Sequence, residues 1–335
     1  MLTVVIPAYN AQDYIDRAVT SVHGFDQVEV LIVDDGSADK TAEISDEWAA
    51  RDPEHIRVIH QENAGHGGAV NAGIASARGR YLKILDADDW LDRLALKRAL
   101  ERLALREEQG EALDLLVANY VYEKQGKSHK AVIRYGNVMP RDRVVSWDEV
   151  KHCRYDQYLM MHALILRTEL VRECGLVLPT HTFYVDFIYS FVPVIAVRTF
   201  EYLDVDLYRY FIGRDDQSVN EQVMISRVDQ LLRVNAAMVD AIPHPDDVPP
   251  KLYRYLVHYL RINCVICTVM LLRSGTEENA ARKDELWAQL EAKKPDAYRA
   301  VRRDLLGRLI TLRSKPGRAV IMSGYHISQW VLGFN

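Results

Sequence analysis

Short apolar runs rich in Val and Ile recur through the first hundred positions, and stretches with apolar residues three and four apart lie between them. Leu2 to Pro7, Val28 to Val33, Ile56 to His60 and Tyr81 to Leu85 are unbroken enough to predict strands covered on both faces. Asp13 to Val22 sets Tyr14, Ile15, Ala18, Val19 and Val22 on one helical face, while Thr41 to Ala50 and Ala69 to Ala77 predict two further crossovers. The rhythm is that of an α/β domain, a mostly parallel sheet flanked by helices. A helix from Leu91 to Arg106 and a strand from Leu113 to Tyr122 extend it. The pattern then loosens, with a helix around Phe183 to Val194 and strand-like residues from Phe200 to Tyr210. Past Gly213-Arg214-Asp215-Asp216 it becomes helical, broken by the proline-rich loop from Ile242 to Pro250. The expected organisation is an α/β domain over 1–220, regular over 1–100 and irregular over 101–220, with a helical C-terminal domain over 221–335.

Composition adds exclusions. With 49% hydrophobic and 27% charged residues in 335 positions, the chain is neither disordered nor a disulfide scaffold. Its net charge of −5 provides no global positive field for a nucleic-acid backbone, so no nucleic-acid partner is expected. Four cysteines are too sparse for an oxidised framework, and no apolar signal core follows Met1. The longest strongly apolar stretch, Ile262 to Leu272, is shorter than the ~20 residues that span a bilayer. These features together lead us to expect a cytoplasmic protein.

In an open parallel sheet, ligands collect beyond the carboxyl ends of the strands, and here those ends carry acid. Asp34-Asp35-Gly36-Ser37 follows the second predicted strand and reads equally as a binding site or as a turn with a helix cap. Asp86-Ala87-Asp88-Asp89 follows the fourth. Extended residues two apart project to the same side, so Asp86 and Asp88 should converge. Carboxylates gathered in this way repel unless a cation relieves them, and hard oxygen ligands suit Mg²⁺ or Mn²⁺. The bland alternative is a solvated acidic turn capping the next helix. Between the third and fourth strands, Glu62 to Asn71 forms a glycine-rich loop containing Asn63, Gly65 and His66, whose backbone amides could approach an anion or a base. It is not a dinucleotide fingerprint, because Val70 stands where the last glycine should be.

Val4-Val5-Ile6-Pro7-Ala8-Tyr9-Asn10, Leu31-Ile32-Val33-Asp34-Asp35-Gly36-Ser37, Asn71-Ala72-Gly73 and Tyr81-Leu82-Lys83-Ile84-Leu85-Asp86-Ala87-Asp88-Asp89-Trp90-Leu91 resemble, in order and spacing, the bacterial family 2 glycosyltransferases, inverting enzymes of the GT-A fold. The resemblance is dense to about residue 100 and thins beyond it. It implies a nucleotide-sugar donor, with Pro7, Tyr9 and Asp35 against the nucleobase and ribose; the loop residues Asn63, Gly65 and His66 join them as donor-binding candidates on the loop's own chemistry. Asp35 would accept the imide N–H of a uracil. Asp86 and Asp88 match the family's Asp-X-Asp motif, in which the second carboxylate holds Mg²⁺ or Mn²⁺ on the diphosphate and Asp89 can share that work. Two departures stand out. Val70 precedes Asn71 where many relatives have Arg, and His66 intrudes into the loop.

The resemblance also implies a carboxylate base in the second half of the domain, for which Asp186 in Tyr184-Val185-Asp186-Phe187 is the best match, with Val185 in place of the usual Glu. Asp204 and Asp206 are the fallbacks. Tyr208 to Ser218 resembles the segment that closes many such domains, so Arg209 or Arg214 would suit an anionic leaving group. The acceptor would be a hydroxyl of a glycan or of a lipid-linked molecule. Rival readings are a sugar nucleotidyltransferase, whose glycine- and lysine-bearing first loop is missing here, and a non-catalytic nucleotide-sugar-binding subunit. Cys264-Val265-Ile266-Cys267 lies in an apolar helical stretch without a second ligand pair and reads as core. His162 and His181 read as structural histidines. Lys293 to Arg318 holds nine basic residues against Asp296 and Asp304, a polarity that suits peripheral contact with an anionic membrane, a homodimer contact or a solvated face.

Overall fold

The computed structural model describes residues 1–124, 130–212, 220–312, 314, 316–318 and 320–322. The chain divides into two compact units, one of residues 1–153 and 159–215, the other of residues 154–158 and 216–335.

The first unit is built on one mixed sheet. Its strands are β1 (Leu2–Ala8), β2 (Val28–Asp34), β3 (Ile56–His60), β4 (Tyr81–Ile84), β5 (Trp90–Leu91), β6 (Leu115–Lys124), β7 (Ala131–Ile133), β8 (Val144–Val145), β9 (Leu164–Arg167) and β10 (Phe200–Ile212), in the order β3-β2-β1-β4-β9-β6-β10-β5. β3, β2, β1 and β4 are parallel, as the apolar runs predict, and every residue of β1 and β2 is buried. Helices α1 (Ile15–Val22), α2 (Thr41–Arg51) and α3 (Gly65–Ser76) make the crossovers. Gly73 of α3 lies so close to β1 that an added Cβ would stand 2.2 Å from a Val5 methyl. Helix α4 (Arg93–Glu108) is capped by Asp92, which accepts from the Leu94 and Ala95 amides.

The second half of the sheet follows different rules. β9 inserts antiparallel between β4 and β6, while β6 and β10 run parallel to each other. Sequence periodicity did not predict β9, because a four-residue apolar run cannot be distinguished from a buried helical turn. After α5 (Thr168–Glu173), the expected helix from Phe183 to Val194 is instead two short ones, α6 (Asp186–Tyr189) and α7 (Val192–Ala196). Pro193 falls in the first turn of α7, where its missing N–H has no helical partner to lose.

The second unit is helical: α8 (Glu221–Ser226), α9 (Val228–Ala241), α10 (Pro250–Arg273), α11 (Glu277–Lys293), α12 (Pro295–Val301) and α13 (Leu305–Ile310). Among the described residues α10 alone is long and apolar enough to cross a membrane, and 67% of its most apolar stretch is buried within the protein. It is the core helix of this unit, with Leu256, Leu260, Cys264 and Cys267 all fully buried. Residues 154–158 join it: Tyr158 stacks on Tyr259 at 4.8 Å and Arg261 lies over the Tyr155 ring at 5.1 Å. Nothing in the local sequence signals that association.

Candidate functional site

The chain turns immediately after β4. Asp89 N–H donates to the Asp86 carbonyl at 2.9 Å, so Asp86 to Asp89 is a turn and not an extended segment. The spacing argument that paired Asp86 with Asp88 therefore gives way to a different convergence. Ligand atoms of Asp86, Asp89 and His162 lie within 4.8 Å of one another. Asp88 remains beside them, half-buried, with its carbonyl accepting from Arg17 at 2.6 Å, and its charge acts on Asp89.

His162 is the residue that sequence reasoning set aside. It is 4% exposed, and neither ring nitrogen has a hydrogen-bond partner. Its ring is held between Tyr208 and Tyr210, each centred 4.5 Å away, and Nε2 faces Asp86 and Asp89 at 3.9 Å each. Burial lowers its pKa to about 4, so the imidazole is neutral at physiological pH, with a lone pair to offer. Two carboxylates and a buried imidazole lacking hydrogen bonds form a donor set that fits a divalent cation.

Lys83 supports this turn from below. It is wholly buried, and its Nζ donates to the carbonyls of His162 at 2.7 Å and Leu164 at 3.2 Å. Burial brings its pKa down to about 7, against the pull of Asp86 and Asp89. A lysine in the middle of an otherwise apolar strand is a local conflict that the sequence does display. Burial, together with the charges of Asp88 and Asp86, pushes the Asp89 carboxyl well above its ordinary range. Tyr208 Oη, at 2.6 Å, and the Phe211 amide, at 2.7 Å, donate to Asp89.

Beyond β2, Asp35 is buried, and its Oδ1 accepts from Gln61 Nε2 at 2.6 Å and from the Ala64 amide at 2.8 Å. Asn63 donates to the Asp35 carbonyl at 2.9 Å. Gln61 is thus a supporting residue that the motifs did not single out. Pro7 is buried at the end of β1, and Tyr9, two residues on, is 55% exposed.

The glycine-rich loop is itself helical, since α3 begins at Gly65 rather than Ala69. Gly65 has φ +75°, and a Cβ there would stand 2.8 Å from the His181 nitrogen. At Gly67 a Cβ would stand 2.5 Å from the Pro179 carbonyl oxygen. In this structure the small residues admit the chain that leads to Asp186. Asn71 fastens the same chain, donating to the Leu178 carbonyl at 2.8 Å and accepting from the Leu178 amide at 3.1 Å. The His181 amide donates to the Ala64 carbonyl at 2.8 Å. Left-handed backbone at His181 (φ 46°) and Tyr184 (φ 67°) then bends the chain into α6, with Asp186 as its first residue.

His66 joins the two carboxylates electrostatically. Its Nε2 donates to Asp86 Oδ1 at 2.8 Å. Burial opposes its charge, but the hydrogen bond and charge of Asp86, with Asp186 and Asp88 adding, outweigh that and raise its pKa. Burial pushes the Asp186 carboxyl up to about 6, with His66 pulling it down and Asp86 pushing it up. Asp86, also opposed by burial, is nonetheless held below the usual carboxylate range by His66, His162 and Lys83.

The fallback carboxylates are engaged elsewhere. Asp204 and Asp206 both accept from Asn119, and Arg141 and Arg134 pair with them at 3.0 and 3.1 Å. The Asn119 hydrogen bond leads the interactions that hold the Asp204 pKa down, which suits a structural ion pair better than a base. Arg209 pairs with Asp92 at 3.0 Å and Glu123 at 3.2 Å. Arg214 lies outside the described residues.

Residues 3–167 match Glycosyl transferase family 2. This part of the chain belongs to that family. Glycosyltransferase GlyG of Streptococcus pneumoniae is 34% identical to this chain over 123 residues, 36% of this chain and 39% of GlyG. The first curated relatives are matched over only 30 to 39% of their own length. S. aureus TarS 1-349, solved in complex with UDP-GlcNAc, superposes with a TM-score of 0.70 at 17% identity, covering 98% of this chain and 92% of TarS 1-349. The mannosyltransferase PcManGT of Pyrobaculum calidifontis, solved with GDP-Man and Mn²⁺, superposes at 0.53 with 18% identity, covering 98% and 87%. At these identities the likeness carries the fold, and the family 2 domain has the GT-A architecture.

Proposed function

We propose that the chain transfers a sugar from a nucleotide-sugar donor, a UDP-sugar foremost, to a hydroxyl of a glycan or lipid-linked acceptor, with inversion and with the help of Mg²⁺ or Mn²⁺. The observation that carries this reading is the pairing of an acidic cluster, Asp86, Asp89 and His162, with a separate carboxylate, Asp186, whose pKa is raised to about 6 and which feels the charges of Asp86 and His66. The donor complexes of TarS and PcManGT support the choice of ligand class.

Asp35 and Tyr9 receive the base and ribose, with Asp35 held in place by Gln61 and the Ala64 amide. Asp86, Asp89 and His162 would hold the divalent cation, which when bound neutralises charge on the donor diphosphate. Asp186 accepts the proton of the acceptor hydroxyl. As it does so, the acceptor oxygen bonds to the anomeric carbon and the bond from that carbon to the diphosphate oxygen breaks, releasing the nucleoside diphosphate. His66, whose pKa is raised against burial by its hydrogen bond to Asp86, favours the charged imidazolium, which would offset negative charge on the departing diphosphate.

A panel of UDP-, GDP- and TDP-sugars, assayed for release of nucleoside diphosphate with Mg²⁺, with Mn²⁺ and with chelator, tests the proposal. Release from one donor class that chelator abolishes is the expected result. Tight binding of a nucleotide-sugar without release, in the presence of a range of hydroxyl acceptors, would favour the non-catalytic binding subunit. Formation of a sugar nucleotide from nucleoside triphosphate and sugar phosphate would favour the nucleotidyltransferase.

A further inference from the structure

We infer that the second unit carries a docking surface for an anionic lipid bilayer, formed by leucines and arginines that its last helices hold outward. Most of the large apolar side chains in this unit are buried. Among the described residues, the large exposed ones are Tyr155 and a group close together in sequence: Leu305 (72% exposed), Leu306 (46%), Leu312 (37%) and Val320 (49%). Such clustering marks a contact surface more than incidental exposure does.

The backbone under the leucines is fixed. Asp304 caps α13 by accepting from the Gly307 amide at 2.8 Å, and pairs with Arg261 of α10 at 2.6 Å. Gly307 packs directly on the end of α12, where a Cβ would stand 1.8 Å from the Val301 carbonyl oxygen. Ile310 and Thr311 are buried, and Lys283 donates to the Leu312 carbonyl. With Gly307 and Ile310 turned inward, Leu305, Leu306 and Arg308 face outward.

The charge of the surface is one-sided. From Leu305 to Met322 the sequence contains no Asp or Glu, in a chain whose net charge is −5. Part of the basic segment noted above is consumed internally: Lys293 pairs with Asp240, Lys294 donates to the Ile242 carbonyl, Arg299 pairs with Asp296 and Arg318 with Asp284. Arg313 and Lys315 lie outside the described residues. Arg302, Arg303 and Arg308 are exposed next to the leucines in sequence. Arg302 lies over the Tyr298 ring and Arg308 donates to the Arg302 carbonyl, but among the described residues none of the three pairs with an acid, and the acids Asp284, Asp296 and Asp304 already have basic partners.

Apolar side chains flanked by arginines match the boundary between headgroups and acyl chains in an anionic membrane. A second copy of the chain fits less well, because a twofold contact would set the same arginines opposite each other. The inference does not depend on the transferase reading.

Co-sedimentation of the full chain with vesicles of phosphatidylcholine alone, and with phosphatidylglycerol added, tests it. The parent should partition about tenfold or more in favour of the anionic vesicles, and the preference should weaken at high salt. Replacing Leu305→Glu together with Leu306→Glu should abolish binding, with far-UV circular dichroism and UDP binding unchanged. Arg303→Glu with Arg308→Glu should erase the preference for anionic over neutral vesicles. Equal partition of the parent into both vesicle types overturns the inference, as does undiminished binding by the leucine variant. A dimer that the leucine variant disrupts, with no vesicle binding by the parent, overturns it in favour of self-association.

Discussion

The two halves of the family 2 domain deliver their functional side chains by different means. In β1 to β4 the parallel register places the strand ends together, so Asp35 and Asp86 follow directly from runs of Val and Ile that stop at acidic turns. In the half from β6 to β10, His162 and Asp186 arrive on a short turn and a four-residue helix. Contacts to distant parts of the chain hold them: Lys83 reaches His162 across 79 positions, and Asn71 reaches Leu178 across 107. The first half encodes its site locally, and the second borrows its geometry from the first.

The largest expected effect tests whether the borrowed half performs the chemistry. Asp186→Asn keeps shape and hydrogen bonding but cannot take up the acceptor proton. Turnover should fall by about 10² to 10⁴ while donor affinity, measured by titration calorimetry with Mn²⁺, stays near that of the parent. Turnover within a fewfold of the parent would remove Asp186 from the role of base.

The next effect tests the support beneath the acidic cluster. Lys83→Met fills the same volume but loses both donors to the backbone at His162 and Leu164. By Coulomb's law alone, removing a buried positive charge near Asp86 and Asp89 would strengthen cation binding. If Lys83 instead acts by holding His162 in place, Mn²⁺-dependent UDP affinity should fall by about 10- to 100-fold, as losses of ligand support commonly do. His162→Phe should reproduce that loss with Lys83 intact. Stronger binding in Lys83→Met would show that charge outweighs positioning.

These residues also mark how far the sequence could be read. The parallel strands, α1, α2 and the acidic strand ends were legible because each depends on a local apolar period ending at turn-forming residues. Spacing alone did not pair Asp86 with Asp89, whose share in the metal only the resemblance implied, because a turn and an extended segment look alike over four residues and bring different carboxylates together. His162 gave no local signal, as its meaning comes from the tyrosines of β10 and the turn after β4. The glycines of α3 were visible, but what they admit, Pro179 and His181, lies more than a hundred positions away.

A smaller effect separates the two halves by way of their contact. Gly67→Ala forces a methyl toward the Pro179 carbonyl oxygen, where the structure leaves 2.5 Å for its Cβ. A cost of about 1 to 3 kcal/mol is expected from the displaced backbone, measurable as a lower denaturation midpoint. Asn71→Ala should cost a similar ~1 to 3 kcal/mol by leaving the Leu178 amide and carbonyl unpaired. Both variants should lose more turnover than UDP affinity, since they disturb the approach to Asp186 and leave Asp35 in place. Equal losses in both quantities would mean that the two halves are not separable in this way.

The gentlest test is the pH profile, which alters no residue in its first arm. The base acts in its ionised form, and burial has raised the Asp186 pKa to about 6. Turnover should therefore be flat above that value and fall below it, approaching about tenfold per pH unit once the carboxyl is mostly protonated. The direction of a second shift follows from the neighbours. His66 pulls the Asp186 pKa down and Asp86 pushes it up, so His66→Gln, which removes the cation, should move the acid limb to higher pH. An ordinary exposed carboxylate would place the limb near pH 4 and leave it there in the His66 variant. In Asp186→Asn whatever turnover remains should lose this limb, and a limb that persists unchanged would assign the titration to a group other than the base.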